Sequence, residues 1–128
     1  MKNKKNKSVS CEGEIYHDKT GIYDVCKIRK LSENSPTVLI PLSNLKYHLK
    51  EKEWGNYSIQ DVLKNPDKYP EDIEIINSVD LSYPILEYKD NIIDGNHRLA
   101  KAFLDGKENI KVKQITKKQM EAAKDRVL

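Results

Sequence analysis

The pentapeptide Asp94–Arg98, with the sequence DGNHR, constrains the fold more than any other segment of this chain. It follows the short apolar run Ile92-Ile93 and precedes a helical pattern from Leu99 to Leu104. This order predicts a strand that turns at Gly95 into a helix. The first-turn N–H groups of such a helix have no partner within it, and the helix dipole adds positive potential there. The segment therefore predicts a phosphate-sized anion site.

The side chains of the pentapeptide allow functional and ordinary interpretations. His97 and Arg98 can donate to a phosphate, and His97 can also act as a general acid. The alternatives are a structural role for His97 and a surface salt bridge for Arg98. Gly95 lets the backbone approach a ligand or simply makes the turn. Asp94 either caps the helix, or binds Mg²⁺ on a nucleotide or accepts a proton. Asn96 contacts a ligand or faces solvent, and the sequence leaves these alternatives open.

Candidates of a second rank are Trp54, Asp80 and Tyr83, each of which also suits a packing, capping or solvent role. The chain contains three histidines, His17, His48 and His97. They are scattered and lack suitably spaced cysteine partners, so no zinc site is predicted. A glycine-rich Walker loop is also absent from the sequence.

Periodicity and turn residues predict short strands and short helices, as in an α+β fold. Strands are predicted at residues 15–17, 22–28, 37–42, 84–88, 91–94 and 110–115. Helices are predicted after a cap at Ser43, over residues 58–64, from Pro70 onward, from the pentapeptide to Gly106, and over residues 117–128. Strand 37–42 is expected to be buried, and Ser58 and Asp61 have the spacing of a capping box.

The bulk composition is typical of a globular protein with a wet surface. Hydrophobic residues make up 38% of the chain and charged residues 34%, and the mean hydropathy is −0.75. A membrane span needs about 18 consecutive apolar residues, and a signal peptide needs an apolar segment near the start. Neither is present, so we expect a cytoplasmic protein with no membrane partner.

The two cysteines, Cys11 and Cys26, form no CxxC motif. We expect two reduced thiols, and a disulfide between them is the alternative that the sequence leaves open.

Positive charge is concentrated at the two ends of the chain. Residues 1–7 hold four lysines, whereas the other 121 residues carry 19 basic and 20 acidic side chains. Residues 1–10 are predicted to be a disordered basic tail and residues 11–128 a single domain. A second basic stretch contains Lys107, Lys111, Lys113, Lys117, Lys118, Lys124 and Arg126. Such ends can contact DNA, although a solvated surface is the more ordinary interpretation.

The motif and its surroundings resemble the ParB/sulfiredoxin superfamily, in particular the ParB-like nuclease domain with a DGxHR motif. The residues that carry this resemblance are Tyr83-Pro84-Ile85, Ile92 to Leu99, Lys101-Ala102, Gly106, Ile110 and Val112. The resemblance covers residues 37–116 and implies a ParB/sulfiredoxin-like α+β fold, in which a small mixed sheet packs against several short helices. It also implies that the motif binds phosphate groups of a nucleotide, CTP in ParB proper and ATP in sulfiredoxins, or of another phosphorylated small molecule.

The resemblance further implies Mg²⁺-dependent phosphoryl transfer or phosphodiester hydrolysis. In that scheme Arg98 and the backbone after Gly95 hold phosphate, His97 neutralises developing charge, and Asp94 binds the metal or acts as a base. Free-serine kinases of the superfamily use a glutamate base, for which Glu51 and Glu53 are candidates by position.

Two departures from the family narrow these expectations. Asn96 occupies the position of the sulfiredoxin cysteine, which excludes sulfinic acid reduction. The sequence has no helix-turn-helix domain or dimerisation tail, so partition-protein behaviour is not expected. A non-enzymatic DNA-binding or adaptor module is the alternative function, and the oligomeric state stays open.

Overall fold

Two small sheets and a set of short helices form the computed structural model, which describes residues 11–126. The strands are β1 (Ile15–Asp18), β2 (Gly21–Asp24), β3 (Val38–Pro41), β4 (Ile85–Tyr88), β5 (Asn91–Asp94), β6 (Asn109–Gln114) and β7 (Lys124–Arg126). The helices are α1 (Val25–Leu31), α2 (Ile59–Lys64), α3 (Pro70–Ser78), α4 (Asn96–Leu104) and α5 (Lys117–Ala122), with 3₁₀ helices at Leu42–Lys50 and Pro66–Lys68. The predicted α+β class is confirmed. The predicted basic tail over residues 1–10 lies outside the described residues.

The larger sheet is mixed and carries the motif. Its strand order is β3-β6-β4-β5, with β4 and β6 parallel and the other two pairs antiparallel. The β4–β5 hairpin turns through Lys89 and Asp90, which both have positive φ angles, as tight two-residue hairpin turns require. Strand β5 ends at Asp94, and α4 starts two residues later. The main core lies between this sheet and α2, α3 and α4, and it includes the fully buried Leu99.

The smaller sheet, β1-β2-β7, is antiparallel and was only partly predicted. The predicted strand over residues 22–28 is wrong beyond Asp24, where α1 begins. The Asp24 side chain accepts a hydrogen bond from the Lys27 N–H and so caps this helix. Val25 and Ile28 are both buried, and their spacing of three places them on one helical face.

The predicted terminal helix over residues 117–128 is also too long. Thr116 and Gln119 form a capping box that starts α5 as expected, but the helix ends at Ala122. The chain then forms β7, in which Lys124 pairs with Tyr23 of β2. The backbone groups on the side of β2 that faces away from β1 thus gain hydrogen-bond partners. If α5 continued to the end of the chain, those groups would have no strand to pair with.

The strand predicted at residues 37–42 is present at Val38–Pro41, but the prediction that it is buried is wrong. Among the described residues, strand β3 pairs only with β6 and lies at the edge of the mixed sheet, where Leu39 is 63% exposed. Ser43 does not cap the following helix, because the 3₁₀ helix already begins at Leu42 after Pro41. The capping box of Ser58 and Asp61 at the start of α2 is confirmed.

Cys11 and Cys26 form a disulfide, so the expectation of two reduced thiols is wrong. The first hairpin folds back on itself and brings the segment before β1 against α1, with 5.3 Å between the two Cα atoms. That approach is a tertiary effect, and the spacing of 15 residues between the cysteines does not reveal it.

Candidate functional site

A cavity of about 750 Å³ opens at the junction of β5 and α4. All five residues of the pentapeptide line it, together with Trp54. Glu14, just before β1, and Arg29 of α1 also line it. The structure therefore brings the motif to one concave surface, with a size that is ordinary for small-molecule sites.

The N-cap position of α4 provides no side-chain cap. Its residue is Gly95, with φ of 112°, and within residues 11–126 no side-chain cap hydrogen bond is formed there. A Cβ atom at this position would lie 2.6 Å from Cγ2 of Ile85 and 3.1 Å from Nη2 of Arg98. Glycine is thus required by both backbone conformation and space. Because Asp94 does not cap α4, that interpretation of Asp94 is excluded.

Asp94 instead forms a buried ion group with two arginines. Its Oδ2 atom lies 2.7 Å from Nε of Arg29 and 3.2 Å from Nη2 of Arg98. Arg98 also donates to the carbonyl oxygen of Pro84 at 3.0 Å and is 5% exposed. Burial lowers the pKa of Arg98, and the adjacent carboxylate of Asp94 opposes this shift. The guanidinium of Arg98 is therefore held by the protein itself, in a buried pair and not in the surface salt bridge considered from the sequence.

This arrangement does not suit Asp94 as a Mg²⁺ ligand or a general base. Both guanidinium contacts fall on one carboxylate oxygen, and a further cation at that oxygen would meet two positive charges at close range. Glu14 extends the group, since its Oε1 lies 3.8 Å from Nη2 of Arg29. Burial raises the pKa of Glu14, and the nearby charge of Asp94 adds to this shift.

His97 is held between an aromatic ring and a carboxylate. Its ring stacks on Trp54, with 4.7 Å between the centroids and 22° between the planes. Nε2 of His97 lies 2.9 Å from Oδ1 of Asp72. The other oxygen of Asp72 accepts a hydrogen bond of 2.5 Å from the Tyr57 hydroxyl, which raises the pKa of Tyr57 to about 12. Because Asp72 engages Nε2, Nδ1 is the ring nitrogen left for a ligand.

Asn96 and Glu53 meet on the same wall of the cavity. The Asn96 side chain interacts with the Glu53 carboxylate and helps to lower the pKa of Glu53, while the Oδ1 atom of Asn96 is buried without a partner among the described residues. Glu53 lines the cavity and Glu51 does not. Burial works to raise the pKa of Glu53, but hydrogen bonds from His48 and Glu51 outweigh it and lower that pKa. Of the two glutamates considered from the sequence, Glu53 is the one beside the motif.

Two candidates of the second rank lie outside the cavity. Asp80 accepts a hydrogen bond from the Ser82 N–H at 2.8 Å, which lowers the pKa of Asp80 and marks a turn. Tyr83 is exposed on the segment that leads to β4. The structure thus gives both residues the ordinary roles of capping and solvent contact.

Two residues that contact the motif escaped the sequence analysis. Arg29 reaches Asp94 from 65 positions away in the chain, and Asp72 reaches His97 from 25 positions away. Asp72 looked like a simple first-turn acidic residue of α3, which is an ordinary place for one. No local pattern in the sequence points to either contact.

The comparisons with known proteins return no neighbour. No protein-family model matches the chain, and neither a curated protein nor a solved structure is significantly similar to it. The ParB/sulfiredoxin resemblance therefore rests on the motif and its spacing alone. Within residues 11–126, no helix is long and apolar enough to cross a membrane.

Proposed function

We propose that the cavity at the start of α4 binds a phosphorylated small molecule, such as a nucleotide. The observation that carries this proposal is the uncapped N-terminus of α4 on the wall of a cavity of about 750 Å³. Backbone N–H groups and the helix dipole favour a negative charge at this place. A phosphate group provides that charge and several acceptor oxygens.

Each residue of the motif then has a definite part in binding. The N–H groups that follow Gly95 hold phosphate, and His97 donates from Nδ1. Arg98 acts indirectly, because it fixes the turn through Asp94 and the Pro84 carbonyl. Asn96 lines the cavity and contributes its backbone N–H as one of the first-turn donors of α4.

The reaction that this site supports best is phosphoryl transfer or phosphodiester hydrolysis, as the family resemblance implies. Glu53 lies beside the motif as a proton acceptor, and Asp72 positions the ring of His97 for charge stabilisation. Mg²⁺ would accompany the phosphates of ATP or CTP. Asp94 is not part of this proposal as a metal ligand.

A nucleotide panel tests binding. We expect CTP, ATP or GTP with Mg²⁺ to raise the melting temperature of the full chain, because a ligand at 100 times its Kd stabilises by about 2.7 kcal/mol. His97→Ala should abolish the shift, since it removes a side-chain donor at the anion site. Tyr83→Ala, an exposed ring outside the cavity, serves as the control and should leave the shift intact.

The DNA-binding alternative gives the opposite pattern. Salt-sensitive DNA binding that survives His97→Ala but not the removal of residues 1–7 would support the alternative. If no nucleotide raises the melting temperature either, our proposal is contradicted.

Part of the C-terminal basic stretch has intramolecular roles. Lys113 donates to the carbonyl oxygens of Ser32 and Glu33, and Lys124 lies over the ring of Tyr23.

A further inference from the structure

A histidine and two glutamates converge beside the cavity where the first 3₁₀ helix ends. Nδ1 of His48 lies 2.9 Å from Oε1 of Glu51 and 3.4 Å from Oε2 of Glu53. One donor atom from each of the three residues lies within 4.8 Å of the other two. Ligand atoms around a tetrahedral zinc ion are about 3.4 Å apart, so small side-chain adjustments would bring these three atoms to a metal.

The far side of the His48 ring gives an independent indication of a ligand. His48 is fully buried, and its Nε2 has no hydrogen-bond partner among the described residues. The nearest carboxylate oxygen, Oε2 of Glu87, lies 3.9 Å away. A buried polar nitrogen without a partner is unfavourable and requires a physical reason.

A metal at Nδ1 provides that reason. It fixes the neutral tautomer of His48 with its proton on Nε2, which then points its N–H toward Glu87. Glu87 is itself buried and oriented by a hydrogen bond of 2.6 Å from Nε2 of Gln114. A metal-bound histidine whose second nitrogen donates to an oriented carboxylate is the usual arrangement in metal sites.

The charges of the cluster point the same way. The carboxylates of Glu51 and Glu53 both approach Nδ1 of His48, so two acidic groups converge on one point. A divalent cation at that point would balance the charge of both carboxylates.

We propose that His48, Glu51 and Glu53 bind one divalent transition-metal cation, with Glu87 as the residue that positions His48. An imidazole with two carboxylates suits Zn²⁺ or Mn²⁺, whereas Ca²⁺ prefers oxygen ligands alone. The sequence analysis missed the site because it sought cysteine partners for the histidines. The signal present is the spacing His-x-x-Glu-x-Glu over residues 48–53.

The position of the cluster also connects it to the cavity. Glu53 lines the cavity and interacts with Asn96 at the start of α4, so a cation on Glu53 would lie near a phosphate bound there. With the cation bound, Glu53 holds the metal and does not act as the proton acceptor. That connection rests on the proposed function. Metal binding itself does not, since all the donor atoms come from the protein.

Metal titration without nucleotide tests the inference. Full-length protein is treated with EDTA, dialysed, and titrated with Zn²⁺ or Mn²⁺ by calorimetry. We expect one ion per chain. Glu51→Gln and Glu53→Gln should each weaken binding at least about tenfold, because each removes a charged ligand. Glu51 is 49% exposed, so its substitution should not disturb folding.

Glu74→Gln is the matched control, since Glu74 is an exposed glutamate on α3 outside the cluster. It should bind the ion as tightly as the wild type. Absence of stoichiometric binding, or equal affinity in wild type and both cluster variants, would overturn the metal site. If the protein binds the metal but no nucleotide raises its melting temperature, only the proposed function is contradicted. If a nucleotide raises the melting temperature but no metal binds, only the metal site is contradicted.

Discussion

Arg29 and Arg98 converge on one oxygen of Asp94, and this contact joins the smaller sheet region to the motif. Arg29 belongs to α1, whereas Asp94 and Arg98 flank the turn at Gly95. The carboxylate compensates two guanidinium groups in a place with little solvent. Residues that looked suited to chemistry therefore stabilise the turn that exposes the α4 amides.

Asp94→Asn tests this role. The substitution keeps the shape of the side chain but leaves Arg98 buried without its counter-charge. Breaking a buried ion pair in this way costs about 3–5 kcal/mol. We expect the free energy of unfolding in urea to fall toward that range. Asp105→Asn, which alters a more exposed ion pair with Lys101, should change it by less than about 1 kcal/mol. Equal effects of the two substitutions would contradict the assigned role of Asp94.

At the scale of elements, the features that could be predicted from the sequence are those determined by residues close together in the chain. The capping box of α2, the tight β4–β5 hairpin and the strand-to-helix turn at Gly95 each have local signals, and the structure contains all three. Strand β7 could not be predicted, because its partner β2 lies about 100 residues earlier in the chain. The Asp72–His97 contact depends in the same way on how α3 packs against α4.

The disulfide between the N-terminal segment and α1 gives a prediction at this scale. Closing a loop of about 15 residues removes unfolded-state entropy worth about 3 kcal/mol. We therefore expect a reducing agent to lower the melting temperature of the wild type. A variant that carries both Cys11→Ala and Cys26→Ala should melt at the same temperature with and without reductant. An unchanged wild-type melting temperature on full reduction would show that the disulfide does not stabilise this fold.

For the whole molecule, two cores support one cavity. The smaller sheet, α1 and α5 enclose the second core, whereas the mixed sheet packs on α2, α3 and α4. The cavity takes lining residues from both parts, which explains why Glu14 and Arg29 could not be found from the motif alone. The expected cytoplasmic location stays a prediction, and a formed disulfide is more typical of oxidising compartments.

The central claim is that the open amides at the start of α4 receive a phosphate. The most direct measurement is a ¹H–¹⁵N NMR titration of the full chain with the nucleotide that gives the largest thermal shift. We expect the backbone amide signals of Asn96, His97 and Arg98 to move first and saturably, because they are the first-turn donors of α4. Signals that move only in the lysine-rich ends, with those three amides unchanged, would contradict the account.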